Sequence, residues 1–153
     1  MQSIDTRGLD ELDRALAKAI REAPRKRREL HENLADIAKA EVDKGIAGSI
    51  NDSHGKIQRW QQKFVGTGGG YAAVRAIGGI SGANSPGAIT NYLTSGHRIR
   101  RPSGAAKRQR RSRARMAYVD GRHFYETAAK TVVAPAIQMA EGFVADLKKT
   151  LEG

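Results

Sequence analysis

The chain has 153 residues, of which 39% are hydrophobic and only 5% aromatic, and its 27 Lys and Arg against 16 Asp and Glu give a formal net charge of +11. This length fits one domain spanning 1–153, with a modest core of Leu, Ile, Val and Ala, and the absence of cysteine excludes a disulfide scaffold, a thiolate metal site and a cysteine nucleophile. No window approaches the ~18 apolar residues of a membrane span, and Met1 to Leu16 turns charged and amphipathic too early for a signal peptide, so a soluble intracellular protein is expected.

The first part of the chain, 1–45, reads as two helices. Leu9, Leu12, Leu16 and Ile20 recur at three- and four-residue spacings between charged residues, which is one face of an amphipathic helix over Leu9 to Glu22. Pro24 interrupts that pattern and suits the first turn of a second helix. The second helix is expected from Pro24 to Lys44, burying Leu30, Leu34, Ile37, Ala38 and Val42, with Gly45 as its stop.

Between residues 46 and 85 glycines and β-branched or aromatic residues take over. Ile57 to Val65 and Tyr71 to Ile77 flank Gly66-Thr67-Gly68-Gly69-Gly70, which predicts a long β-hairpin whose glycine tip projects toward neighbours. The glycines are not a phosphate loop: no Gly-Lys-Ser or Gly-Lys-Thr follows, and strand rather than helix comes next. Trp60 reads as a hairpin or core anchor.

Residues 86–119 hold a short helix and a basic arm. Pro86 to Leu93 is predicted helical, with Ser85 as its cap and Gly96 behind it. From Arg98 to Arg115 nine of eighteen positions are basic: Arg98, Arg100, Arg101, Lys107, Arg108, Arg110, Arg111, Arg113 and Arg115. With Pro102, Gly104 and no apolar period, this stretch is expected to be extended when unbound. It is the densest part of a wider region, Ser53 to Val119, with thirteen basic residues and no Asp or Glu; the rest of the chain carries 14 basic against 16 acidic residues. A field of one sign over one region favours a polyanionic partner or an acidic protein surface. Between Arg98 and Arg115 no aromatic residue is interleaved, so phosphate contact rather than base stacking is indicated.

Met116 to Val119 is expected as a short strand and Asp120-Gly121 as a turn. The last segment, within 120–153, places Phe124, Ala128, Val132, Pro135, Met139, Phe143, Leu147 and Leu151 on one face of a long helix, bent near Pro135. The fold class is therefore α+β, with amphipathic helices at both termini packed on a small antiparallel sheet, a long hairpin and a basic extended loop.

No catalytic constellation emerges. His31, His54, His97 and His123 have no partner at ligand spacing, so no metal site is assigned. Acidic residues such as Asp10, Glu11, Asp13, Glu141 and Asp146 are explained by solvated helix faces, giving no paired-acid site. Neither catalytic residues nor a cofactor are expected.

The order of motifs resembles the head-tail joining and tail-completion proteins of long-tailed bacteriophages. It rests on Gly8-Leu9-Asp10-Glu11-Leu12 opening a helix, Tyr71-Ala72-Ala73-Val74-Arg75 ending a glycine-rich hairpin, Ile89 to His97, and Gly121-Arg122-His123-Phe124-Tyr125 leading into the last helix. It departs from the family at Ala76-Ile77-Gly78-Gly79, where an acidic-glycine motif is usual. The resemblance implies a virion neck protein: a homo-oligomeric ring, of six subunits, between the portal or adaptor of the capsid and the tail terminator or tail tube; the basic arm would then contact packaged DNA or an acidic neighbour, and no membrane partner is expected. The alternative is a free, sequence-independent nucleic-acid-binding protein that uses the same basic arm.

Overall fold

In the computed structural model, residues 7–99 and 118–152 are described. Helix α1 runs from Arg7 to Ser49, α2 from Lys56 to Trp60, strand β1 from Gln61 to Val65, β2 from Ala72 to Ala76, α3 from Pro86 to Ser95, β3 from Gly96 to Arg98, β4 from Tyr118 to Asp120, and α4 from Phe124 to Glu152. The protein is α+β: helices stand at both ends, and the strands form two separate antiparallel pairs, β1–β2 and β3–β4.

The architecture is an antiparallel pair of long helices, roofed over part of its length by the first hairpin. Near one end Gly45 meets Phe124, in the middle Leu34 and Ala38 share a cleft with Val132 and Ala136, and at the far end Leu12 lies near Leu151. Ala35, Val42, Ile46, Phe124 and Ala128 are fully buried, and Ile57, Val74, Leu93 and Tyr125 pack around the cluster that Val42, Ile46, Phe124 and Ala128 form. The core therefore lies at the Phe124 end, where the helices, α3 and the hairpin converge.

Three boundaries differ from the sequence reading. Pro24 does not divide the N-terminal segment; α1 passes through it. Proline removes one helical hydrogen bond, and at this exposed position solvent can serve the carbonyl it leaves unpaired while packing on α4 holds both flanks. Gly45 does not stop the helix. A Cβ there would come within 3.0 Å of the Phe124 Cβ, so glycine is the residue that lets α4 approach α1. Residues 56–60 are helical rather than strand, because the Asp52 carboxylate accepts the backbone N–H groups of Lys56, Ile57 and Gln58 at 2.8, 2.8 and 3.1 Å. A side chain that takes up the orphan donors of a first turn favours helix there.

The hairpin is consequently shorter than expected, with Gln61 opposite Ala76 and Val65 opposite Ala72. Its tip does not project outward either, but docks on α1. Arg27 donates to the Gly68 carbonyl at 2.8 Å, and buried Gly69, with φ 62°, sits where a Cβ would lie 2.9 Å from the Arg28 Cβ. Downstream, Ser85 caps α3 by accepting from Ala88 N–H, with Pro86 in the first turn, as the sequence indicates.

The N-terminal apolar stripe is a further correction. Leu9, Leu12, Leu16 and Ile20 are exposed, at 66%, 48%, 42% and 73%. Ala15, Ala19 and Ala23 are the half-buried residues there, and alanines let two helices pack closely. On α4 the expected face does turn inward: Val132, Met139, Phe143 and Leu147 are half-buried, although Leu151 is exposed.

Candidate functional site

Of the nine basic residues singled out, Arg98 lies in strand β3 and is exposed. Arg100, Arg101, Lys107, Arg108, Arg110, Arg111, Arg113 and Arg115 lie outside the described residues. Arg98 thus belongs to regular structure rather than to an extended arm. The chain leaves at Arg98 and re-enters at Tyr118, which are paired across the β3–β4 ladder. This second strand pair is the base from which the acid-free segment is presented.

The base is fixed by sterics and hydrogen bonds. Gly96 has φ 78°, and a Cβ on it would collide with the Val119 carbonyl; a Cβ on Gly121 would collide with the Thr94 carbonyl. Arg122 N–H donates to Leu93 O at 2.8 Å and His123 N–H to Thr94 O at 3.0 Å, so two free carbonyls in the last turn of α3 are satisfied by the link between β4 and α4. The Tyr118 hydroxyl donates to Ser95 O at 2.9 Å, and Tyr92 and His97 bring their rings to 5.3 Å. Arg98, Arg122, His97 and His123 are exposed around this base, with Asp120 and Glu126 beside them.

The other cations of the acid-free region are used differently. Lys63 pairs with Asp36 of α1 at 2.6 Å, Arg75 stacks over Phe64 at 4.0 Å, and Lys56 lies 5.1 Å from the Trp60 ring centre. Of these three Lys63 is paired with an acid, while Lys56 and Arg75 keep their charge over aromatic rings and Arg59, the fourth, is exposed; the densest run of positive charge is the one that begins at Arg98. Phe64 and Tyr71, with ring centres 5.9 Å apart, extend the Arg75 stack on the outer face of the hairpin.

Beside the base lies an open groove of about 600 Å³ between β2, α3 and the first turns of α4. Its rim carries Arg75, Asn91 and Glu126, and Thr94 contributes a buried hydroxyl with no protein partner. The bonds Gly66 N–H to Tyr71 O and Ile77 N–H to Trp60 O identify the positions of β2 that exchange bonds with β1. By the alternation of an antiparallel ladder, Val74 and Ala76 turn their own N–H and C=O away from β1, at the border of this groove.

Sequence reasoning missed a polar knot next to it. Gln61, 2% exposed, donates from Nε2 to Ile57 O at 3.1 Å and Thr90 Oγ1 at 3.2 Å, and its Oε1 accepts from the Tyr125 hydroxyl. Burial pushes the Tyr125 hydroxyl up to about 12. One side chain thereby ties β1, α2, α3 and α4 together. Nothing in the strand pattern marks Gln61 as buried; only Tyr125, in the motif that opens α4, hints at it.

Among the described residues no three His, Asp or Glu side chains form a metal-binding group, and no helix is long and apolar enough to cross a membrane. Comparison with known proteins returned no match: neither a family model, nor a curated protein, nor a solved structure.

Proposed function

We propose that the chain is a structural protein of a tailed-phage neck. In this reading it forms a homo-oligomeric, six-membered ring that joins the portal or adaptor to the tail terminator or tail tube, with its basic segment directed at packaged DNA or an acidic neighbour. The observation that carries the proposal is the β3–β4 base. It is a rigid mount, locked to α3 and α4, that holds both ends of an acid-free segment side by side with Arg98 exposed at its root. The order of sequence motifs supports the same assignment.

A run of positive charge rooted on this mount suits a large polyanionic or acidic partner, which many distributed contacts can hold. Phosphate contacts position a protein without reading bases, so DNA retention is expected to be indifferent to sequence and to weaken steeply with salt. The test replaces Arg108, Arg110, Arg111 and Arg113 with Gln in a phage carrying this gene and measures neck assembly and DNA retention. Imaging of wild-type particles locates the protein. A ring at the head-tail junction and leaky or tailless variant particles are expected. Absence of the protein from virions, together with salt-sensitive DNA binding by the isolated chain, would instead establish the free nucleic-acid-binding alternative.

A further inference from the structure

We infer that the bare apolar face at the distal end of the α1–α4 pair is an interface between two copies of this chain, packed face to face and antiparallel about Leu16. Leu9, Leu12, Leu16 and Ile20 fall within an arc of about 80° on α1, and Ile137, Val144 and Leu151 within about 40° on α4, at 3.6 residues per turn. All seven are between 39% and 73% exposed. The two stripes share one face of the helix pair. Leu12 and Leu151 line a common surface depression, and Val133, on the same line of α4 as Ile137, borders the cleft beside β2, so this is the side that carries the hairpin.

The extent of the face argues for a macromolecular cover. Seven large aliphatic side chains at these exposures leave on the order of 600–700 Å² of apolar surface, above what monomers usually show and near the ~800 Å² per partner of a stable interface. Charge argues for a second copy. The helical segments around the face, 7–26 and 137–152, carry eight basic against seven acidic residues, so identical copies can approach there without the repulsion that the acid-free region would impose. The fold then fixes the arrangement. The hairpin stands on the same face over the Phe124 half of α1, which leaves the distal half as the part that can be overlapped. Antiparallel overlap of two distal halves sets Leu16 against the partner's Leu16 and Leu12 against the partner's Ile20, in the self-complementary pattern of a two-fold contact. It also holds the two Arg98 bases at opposite ends, as far apart as the subunits allow.

This pairing does not depend on the neck assignment. Light scattering on the purified full chain at micromolar concentration is expected to give the mass of two copies. The double variant Leu12→Glu and Leu16→Glu is expected to give the mass of one, with wild-type helical content and unfolding midpoint, because both side chains are already exposed in the subunit. The chain has no native cysteine, so a Leu16→Cys variant should cross-link cleanly to a dimer on oxidation. A wild-type mass of one copy even at roughly 100 μM, well above the micromolar range in which the pair is expected, an oligomer of any size whose mass the double variant leaves unchanged, or no Leu16→Cys dimer would overturn the inference. A six-copy ring insensitive to the double variant would overturn the pairing and leave the neck assignment standing.

Discussion

The two halves of the α1–α4 pair are built from the same kind of heptad-like sequence but end in different states. Around Phe124 the helices are covered by the hairpin, α2 and α3, and Val42, Ile46 and Ala128 are sealed. Around Leu12 none of the described elements adds a third layer, and side chains of the same type stand in solvent. Two helices can bury only the narrow seam between them; a wider apolar stripe needs another element. Periodicity therefore reports that a face will be covered, and the rest of the fold decides whether this chain or another supplies the cover.

Substitutions should reproduce that contrast. Ile46→Asp is expected to prevent folding, since an unpaired charge at a fully buried site costs several kcal/mol, whereas Leu16→Asp should leave a cooperative unfolding transition; circular dichroism distinguishes the two outcomes. Phe124→Ala, in the covered half, should cost about 3–5 kcal/mol in urea denaturation.

Tyr125→Phe is a smaller break in the same half, about 1–2 kcal/mol, because it leaves the buried Gln61 Oε1 without its donor. It also has a pH signature. The Tyr125 hydroxyl is raised to about 12 from an ordinary value of 10.0, so the folded state holds its proton more tightly than the unfolded chain does. Its contribution is complete below pH 10 and declines as pH rises from 10 to 12. The variant should lose that part of the alkaline decline in midpoint. At the low end, Leu9→Gln in dilute protein should change stability by less than ~0.5 kcal/mol; a larger loss would mean that the distal half is covered within the subunit.

Much of the fold was legible in the sequence, for identifiable reasons. The Ser85-Pro86 cap and the alternating residues around the glycine tip are local signals, and they mark α3 and the hairpin to within a few residues. The inward stripe of α4 through Phe124, Ala128 and Phe143 is a periodic signal and gives that helix its facing. What could not be read were events that depend on a distant partner. Pro24 and Gly45 are local breakers, overridden because α4 lies along α1 and, at Gly45, needs the missing Cβ. The Asp52 carboxylate converts a strand-like Ile57-Gln58-Arg59-Trp60 into a helical turn through three backbone bonds that composition does not announce. Of the candidate site, the charge was plain from the acid-free run, but its mount was not. The β3–β4 base pairs segments twenty residues apart, and its essential glycines, Gly96 and Gly121, look like ordinary loop residues until each is seen pressed against a carbonyl.

The antiparallel course of α1 and α4 also determines where the subunit can be handled. Gly8 and Glu152 border the same depression at the distal tip, while α4, about 40 Å long at 1.5 Å per residue, separates that tip from the strand that ends at Asp120. The subunit has two poles, one carrying Gly8 and Glu152 and the other carrying Arg98. A fluorophore attached through a cysteine placed at position 8 or 152 would report from one pole and leave the Arg98 pole untouched.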